Sequence, residues 1–497
     1  MASLVARRVG GAVIPRQELL DLAADFGLAP NVVEKDYALG WMLAAFGQHP
    51  DTRDTWLFKG GTCLKKCFFE TYRFSEDLDF TLLEHAHLDE AFLEKLFAEI
   101  TDWIYDQTGL ILPPDARKVD IYSNPRGGTS AEGRIGYRGP LGRAGDAPRI
   151  KLDLTDHERI VLEGVKRDVH HPYSDRPPGG ISITTYAFEE VFAEKVRALS
   201  ERLRPRDLYD VVHLYRRREL DPDRAQVVAT LGEKCEFKGI PIPTIQSIQG
   251  SPLVGELRTG WEQMLAHQLP QLPSFDAFWG ELPEVFAWLF GEKARVELPV
   301  MAVRSAGPLD TAWRPPAMAT SWRSFGTSAP LEVVRFAAAN RLCVELEYRD
   351  ENGRQSTRTI EPYSLRRSSA GNVLLFAVKA DTEESRSYRI DRIVGADATR
   401  RSFTPKFAVE LTDSGSLEAP ELQSVSRSVP RIARLPARRS PQVRSVFAAT
   451  SPTHVFRCTV CGKTFRRKNY DGSLNPHKNK NGSPCYGTYG TFVKTEY

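Results

Sequence analysis

Apolar residues near the start of the chain recur at helical spacing. Val32, Val33, Tyr37 and Trp41 form one stripe, and Leu39, Leu43 and Phe46 another. The pattern predicts a helix-rich segment over about 15–110, with Asn31 as a helix cap and Glu34, three residues on, completing a capping box. The period then changes. Residues 55–58 read as a short buried strand, Lys59-Gly60-Gly61-Thr62 as the turn into a helix reaching about residue 70, and 78–82 as a second strand before helix returns over 88–108. Gly, Pro and Arg crowd 113–149, which predicts loops and hairpin strands, and 149–155 (RIKLDLT) alternates as a strand does. Amphipathic helices are expected over 187–201 and 207–218, parted by Arg204-Pro205-Arg206, with weaker helical pattern to about 290.

A Pro-rich stretch near 297–320 ends this pattern. A helix is expected over 331–340, then strands at 342–348, 358–365, 373–378 and 386–390, divided by turn residues at 350–353 and 368–372. This reads as a small twisted β-barrel or sheet. Residues 413–450 are rich in Ser, Pro and Arg and are expected to be flexible. The expectation is an α+β multidomain chain: a first domain at 1–295, a linker at 296–329, a β-domain at 330–412, a basic linker at 413–450 and a terminal segment at 451–497. A length of 497 residues has room for about three domains.

Composition narrows the setting. No run of 18 apolar residues occurs, so no membrane span is expected, and no long apolar core follows the basic N-terminus as it would in a cleaved signal. Cys63, Cys67, Cys235 and Cys343 are scattered while Cys458, Cys461 and Cys485 cluster, unlike a secreted disulfide framework; a cytoplasmic protein is expected. The net charge is only +3, but between Leu422 and Tyr470 there is no Asp or Glu against eleven Lys and Arg. A one-sign run of this kind attracts phosphates; a solvated linker has the same composition.

Candidate chemistry gathers at three places. Asp77 and Asp79 alternate along one predicted strand, so both carboxylates face one side, and Asp153 on a later strand can join them. Clustered carboxylates repel unless cations neutralise them, and hard oxygen ligands suit Mg²⁺ or Mn²⁺. Two such ions can bridge an attacking hydroxyl and the phosphate it attacks. Gly60 and Gly61 allow close approach of phosphate oxygens, and the helix start after Thr62 aims N–H groups at them. Singly, a Gly-Gly is usually a turn and an Asp-x-Asp usually surface; strand, GGT, helix, DxD and strand Asp in combination point to catalysis. Lys195 lies among Glu189, Glu190, Glu194 and Arg197, where exposed ion pairs are routine, and Asp207 could cap the helix that follows Pro205.

Phe58-Lys59-Gly60-Gly61-Thr62, Arg73-Phe74-Ser75-Glu76-Asp77-Leu78-Asp79-Phe80, Glu194-Lys195 and Arg206-Asp207-Leu208-Tyr209-Asp210 resemble the AbiEii family of nucleotidyltransferase toxins, of the DNA polymerase β superfamily; Glu34-Lys35-Asp36-Tyr37 resembles its N-terminal helix. The similarity spans about 15–290. It implies a polymerase β-like domain with a helical C-terminal part. It also implies nucleotide binding by Lys59, Gly60, Gly61, Thr62 and Lys195, with metals on Asp77 and Asp79. Lys195 would neutralise the triphosphate and Asp210 would orient Lys195 or the nucleotide, while Asp153 would be a further metal ligand or help deprotonate the acceptor. The implied reaction transfers a nucleotide from an NTP to an acceptor hydroxyl, a tRNA 3′ end in family members, with a cognate antitoxin as partner and abortive infection of phage as context. Arg117, Lys118, Arg126, Arg134, Arg138, Arg143 and Arg149 could contact RNA or form a solvated loop.

Ile360-Glu361-Pro362-Tyr363-Ser364-Leu365, the apolar run 373–378 and Ser387-Tyr388-Arg389-Ile390-Asp391-Arg392-Ile393 resemble a WYL domain, a small SH3-like barrel associated with nucleotide or nucleic-acid ligands and regulation. Tyr363, Arg366, Arg367, Arg389 and Arg392 match its ligand-facing region, although Tyr363 and Leu365 also read as strand residues packing a core. At the end of the chain Cys458, Cys461, His477 and Cys485 are spaced as zinc-finger ligands, with His454 an alternative fourth. A segment of about 40 residues has too little core to fold alone, so structural Zn²⁺ is expected. A second reading of the chain makes it a nucleic-acid- or nucleotide-binding regulator acting through the WYL-like domain and zinc finger, and a third keeps the enzyme but makes the acceptor a protein.

Overall fold

The computed structural model describes residues 13–70, 72–123, 128–142, 145–217, 220–301, 329–368, 371–411, 453–467 and 472–496. The chain divides into two compact units, Met1–Val425 and Ser426–Tyr497. The 413–450 stretch, Arg126, Arg143 and most of the 296–329 segment lie outside the described residues.

The large unit begins with α1 (Arg16–Phe26) and α2 (Pro30–Gln48). The expected capping box is absent. Helix α2 starts at Pro30, whose fixed φ suits the first helical position, and Ala29 before it offers no side-chain cap. Glu34 instead accepts the Leu141 N–H at 2.7 Å, a tertiary contact that local spacing cannot reveal. Then come β1 (Trp56–Lys59), the short α3 (Gly60–Cys63) running into a π-helical turn at Leu64–Phe68, and β2 (Asp77–Leu82). After α4 (Glu90–Thr108) the chain forms β3 (Arg117–Ser123), β4 (Thr129–Gly136), β5 (Arg149–Thr155), β6 (Val165–Asp168) and β7 (Ser182–Thr185). These make one seven-stranded sheet in the order β3-β4-β5-β2-β1-β7-β6. The β1–β7 and β2–β5 pairs are parallel and the rest antiparallel.

Alternation along the central strands divides two functions between two faces. Leu78 and Phe80 of β2 are fully buried, and Phe80 packs on Phe46 of α2, Trp56 and Phe58 with ring centroids 5.2–5.5 Å apart. Rings at these separations and tilts form the apolar layer under the sheet. Asp77 and Asp79 therefore point to the other face. That face is flanked by a helical array: α5 (Phe188–Arg202), α6 (Pro205–Arg216), α7 (Arg224–Lys238), α8 (Ile245–Gln249), α9 (Val254–Leu265) and α10 (Phe275–Leu289).

The same unit continues with α11 (Ala329–Asn340) and the strands β8 (Leu342–Arg349), β9 (Gln355–Arg367), β10 (Val373–Lys379), β11 (Ser385–Arg389) and β12 (Ile393–Ser402). Their order is β11-β10-β9-β8-β12. No β11–β12 pair closes a ring among the described residues, so the expected barrel is an open, strongly connected sheet. Tyr363 and Leu365 are core residues: Tyr363 is fully buried, edge-on to Phe403 and Phe407, and donates its hydroxyl to Glu361 at 2.9 Å. Arg366 pairs with Glu410, and Arg389 makes a two-bond fork to Asp391. Helix α11 packs on this sheet and also reaches the helical array, where Asn340 accepts from the Tyr209 hydroxyl at 2.8 Å, while Arg335 pairs at 3.2 Å with Glu70, just after the π-helical turn.

The terminal unit is a three-stranded sheet, β14-β13-β17, beside a two-stranded ribbon. Its strands are β13 (Thr453–Cys458), β14 (Thr464–Arg467), β15 (His477–Lys478), β16 (Pro484–Cys485) and β17 (Gly490–Glu496). Among the described residues no helix is long and apolar enough to cross a membrane.

Candidate active site

At the end of β1 the backbone turns at Gly60 with φ +83°, a conformation a side chain disfavours. A Cβ there would also lie 2.0 Å from Asp79 Oδ2, and one at Gly61 would lie 2.6 Å from Arg73 Nη2. Both glycines are thus required by what leans over them. Thr62 is buried and donates its hydroxyl to the Asp77 carbonyl at 2.6 Å, tying the start of α3 to the start of β2.

The parallel pairing of β2 and β5 sets Asp79 directly beside Asp153, and Asp77 beside Lys151. All three acids line one cavity of about 750 Å³ together with Lys59, Gly60, Gly61 and Lys195. The three carboxylates repel one another by like charge, and Lys151 offsets part of it, its ammonium 2.9 Å from Asp153 and 3.1 Å from Glu132. Burial, reinforced by Asp153, pushes the Asp79 carboxyl up to about 6, and burial also raises Asp77. Desolvated acids that resist losing their protons are what a divalent cation would relieve.

Lys195 is buried, not on an exposed helical face. Its ammonium sits 2.8 Å from Asp210, which is fully buried and also forks to Arg73 through bonds of 2.7 and 2.8 Å. Tyr72 donates its hydroxyl to the same carboxylate. Burial alone would raise Asp210, but Arg73 and Lys195 hold it well below the usual carboxylate range. Asp210 is therefore a charged post that aims Lys195 into the cavity. Lys59 is held in turn by Glu194 at 3.4 Å; its burial is outweighed by that carboxylate, and its ammonium is held above its ordinary range. Asp207 does not cap α6, whose N-cap is Arg204; it is buried and receives two 2.7 Å bonds from Arg202.

Several cavity residues carry no local sequence signal. Arg73, Lys151, Arg197 and Lys238 line it, each matched by a carboxylate. Arg206 lines it without one. Among the described residues it has no acid partner, and its buried Nε makes no hydrogen bond. Burial and the neighbouring Arg73 pull its guanidinium below its ordinary value, as expected of a cation awaiting an anion. In the Arg-rich hairpin, by contrast, Arg117 bonds Thr101, Lys118 pairs with Asp120, and Arg134 with Asp120 and Glu132.

In the terminal unit Cys458, Cys461, His477 and Cys485 place one ligand atom each within 4.8 Å of the others, while His454 is engaged with Thr495 instead. The His477 Nδ1 lies 3.0 Å from the Asn475 carbonyl, which leaves Nε2 facing Cys461 Sγ at 3.4 Å. Backbone N–H groups of Val460 and Gly487 point at Cys458 and Cys485. Such bonds favour thiolates: the N–H groups of Cys461 and Val460 and their neighbours bring the Cys458 thiol down to about 6. Three soft sulfurs and an imidazole so arranged are consistent with a zinc site.

Paired strand acids, a glycine turn and a lysine held by a buried acid around one polar cavity are the arrangement expected of a nucleotidyltransferase. Residues 41–281 match the family model described as nucleotidyl transferase AbiEii toxin, Type IV TA system, and residues 330–398 match the WYL domain. The protein therefore carries an AbiEii-type toxin nucleotidyltransferase domain joined to a WYL domain. Among solved structures it is similar to MenT4, a nucleotidyltransferase toxin from Mycobacterium tuberculosis H37Rv, at 17% identity and TM-score 0.40 over 56% of this chain and 91% of that one. It is also similar to proteasome accessory factor B/C of Arthrobacter aurescens, at 16% identity and TM-score 0.15 over 44% of this chain and 32% of that one. No match was found among curated proteins.

Proposed function

We propose that this protein transfers a nucleotide from an NTP to a hydroxyl of RNA, at a tRNA 3′ end. In this reading it acts in the cytoplasm as the toxin of a phage-defence toxin–antitoxin pair restrained by a cognate antitoxin. One observation carries the reading: Asp77, Asp79 and Asp153 share a cavity with a lysine that a buried acid holds in place.

The donor set fits Mg²⁺ or Mn²⁺, because Asp77 and Asp79 offer only hard oxygen and the nearby lysines do not offset their burial. Asp77 and Asp79 would hold such an ion, which would supply charge neutralisation at the reacting phosphate and acidify the attacking hydroxyl. The remaining work belongs to the chain. The Gly60–Gly61 turn admits phosphate oxygens against the backbone. Lys195 and Lys59 neutralise the triphosphate as point charges, and Arg206 holds the β- and γ-phosphates by its free fork. The acceptor oxygen forms a bond to the α-phosphorus while the bond to the β-phosphate bridge breaks, and pyrophosphate leaves. Asp153, steadied by Lys151, receives the hydroxyl proton. Positioning and charge provide the acceleration. In the terminal unit Cys458, Cys461, His477 and Cys485 hold a structural Zn²⁺.

The test supplies each α-labelled NTP with Mg²⁺, total RNA and total protein in separate reactions. Label at RNA 3′ ends that vanishes in Asp77→Ala is the expected result. Label on protein alone, or equal growth arrest by wild type and Asp77→Ala in cells, would refute the RNA-transferase reading.

A further inference from the structure

The terminal unit leaves apolar surface in water that its own fold does not use. Tyr486 is 91% exposed, Val460 67% and Tyr489 62%, in a unit too small to waste apolar area. Residues 451–497 carry eight Lys and Arg against Asp471 and Glu496 alone. Exposed rings within a one-sign field are the inventory of a single-strand nucleic-acid platform.

The geometry is specific. A groove of about 280 Å³ is lined by Val460, Asn479, Lys480, Asn481, Pro484 and Tyr486 together with Cys461 and Cys485 of the Cys/His cluster. Gly487 lets the chain pass so close that a Cβ there would lie 2.5 Å from Cys458 Sγ and 3.2 Å from Val460 Cβ, and this brings Val460 and Tyr486 to one rim. The opposite rim is a fixed turn. Asn479 Oδ1 accepts the N–H groups of Asn481 and Ser483 at 2.9 and 3.0 Å, and Gly482 takes φ +86°. Lys480 and Asn481 are thus presented on a rigid tip. Lys463 reaches the Lys478 carbonyl at 3.4 Å and adds further charge beside it.

We propose that this groove binds one unpaired nucleotide of single-stranded RNA, with the base stacked on Tyr486, the Asn481 amide at the base edge, and Lys480 and Lys478 on the flanking phosphates. A base inside a duplex cannot present its face to a ring. An acidic peptide would use the lysines but has no need of an exposed aromatic face. The choice of RNA rests on the acceptor proposed above; the binding itself does not depend on transfer.

Fluorescence anisotropy of the zinc-loaded full chain tests this, with a labelled single-stranded RNA of about a dozen nucleotides, the matching duplex, the DNA strand and an acidic peptide. The single RNA strand binds tightest. Tyr486→Ala weakens it about five- to a hundredfold, Tyr486→Phe retains it, and Lys480→Glu weakens it and flattens its salt dependence. Asp77→Ala binds like wild type, so loss of transfer and loss of binding are read separately. Unchanged binding by Tyr486→Ala, or preference for duplex, DNA or peptide, overturns the proposal.

Discussion

Asp79 sits beneath Gly60 and beside Asp153, where its charge is hardest to solvate. Its carboxyl titrates near 6, above the ordinary 3.8, so the metal-free folded state gains stability from the bound proton. That stability is fully present at low pH and is lost as pH rises through about 6. A divalent cation replaces the proton only above that point. Melting curves with Mn²⁺ are therefore expected to show little stabilisation at pH 5 and a clear rise in Tm at pH 7.5. Asp79→Asn should raise the metal-free Tm at pH 7.5 and abolish the Mn²⁺ response. A response of equal size at both pH values, or one that survives in Asp79→Asn, would exclude this account. At this scale much was legible beforehand, because a period-two acid pair interleaved with Leu78 and Phe80 has one solvent-side face whatever surrounds it.

Helix α6 shows what an element adds. Arg206, Asp207 and Asp210 lie within its first two turns and go three ways: Arg206 to the open cavity, Asp207 to Arg202, Asp210 to Arg73 and Lys195. The family resemblance marked Asp210 as functional and the position after Pro205 marked Asp207 as a helix cap, but neither gave a reason to single out Arg206. Its role rests on its buried, unbonded Nε facing the cavity while Arg73, Arg197 and Arg202 already have acids, which only the packed structure displays. Arg206→Ala is expected to raise KM for the NTP roughly 10- to 100-fold, from loss of charge-assisted bonds of about 1.5–3 kcal/mol, with kcat little changed. Steady-state kinetics with varied NTP measure it; a fall in kcat at constant KM would assign Arg206 to the transition state instead. Asn31 shows the converse failure: a plausible local cap was displaced by Pro30, and Glu34 was taken by Leu141 from 107 positions away.

Over the whole molecule, the two compact units differ in what holds them together. The large unit has a continuous apolar core running from α1 through the sheet and helices to α11 and β12. Among the described residues the terminal unit has few buried apolar side chains, Val455, Phe456 and Leu474 among them, beside the Cys458–Cys461–His477–Cys485 group. A strong chelator is therefore expected to unfold the terminal unit while the large one keeps its melting transition. Calorimetry of the full chain, before and after chelation and with Cys461→Ser, checks this. An unaltered thermogram, or simultaneous loss of both transitions, would contradict it.

By itself the sequence determined the strand–glycine turn–DxD order, the β-rich module after residue 330 and the four Cys and His residues that cluster near the end, because each depends on residue type and short-range period. Tertiary structure decided the rest. It set Asp153 against Asp79, buried Lys195 on Asp210 and, among the described residues, left Arg206 Nε unbonded and the β8–β12 sheet open. Those outcomes turn on desolvation and on contacts between positions dozens to hundreds of residues apart, and neither is written into local pattern.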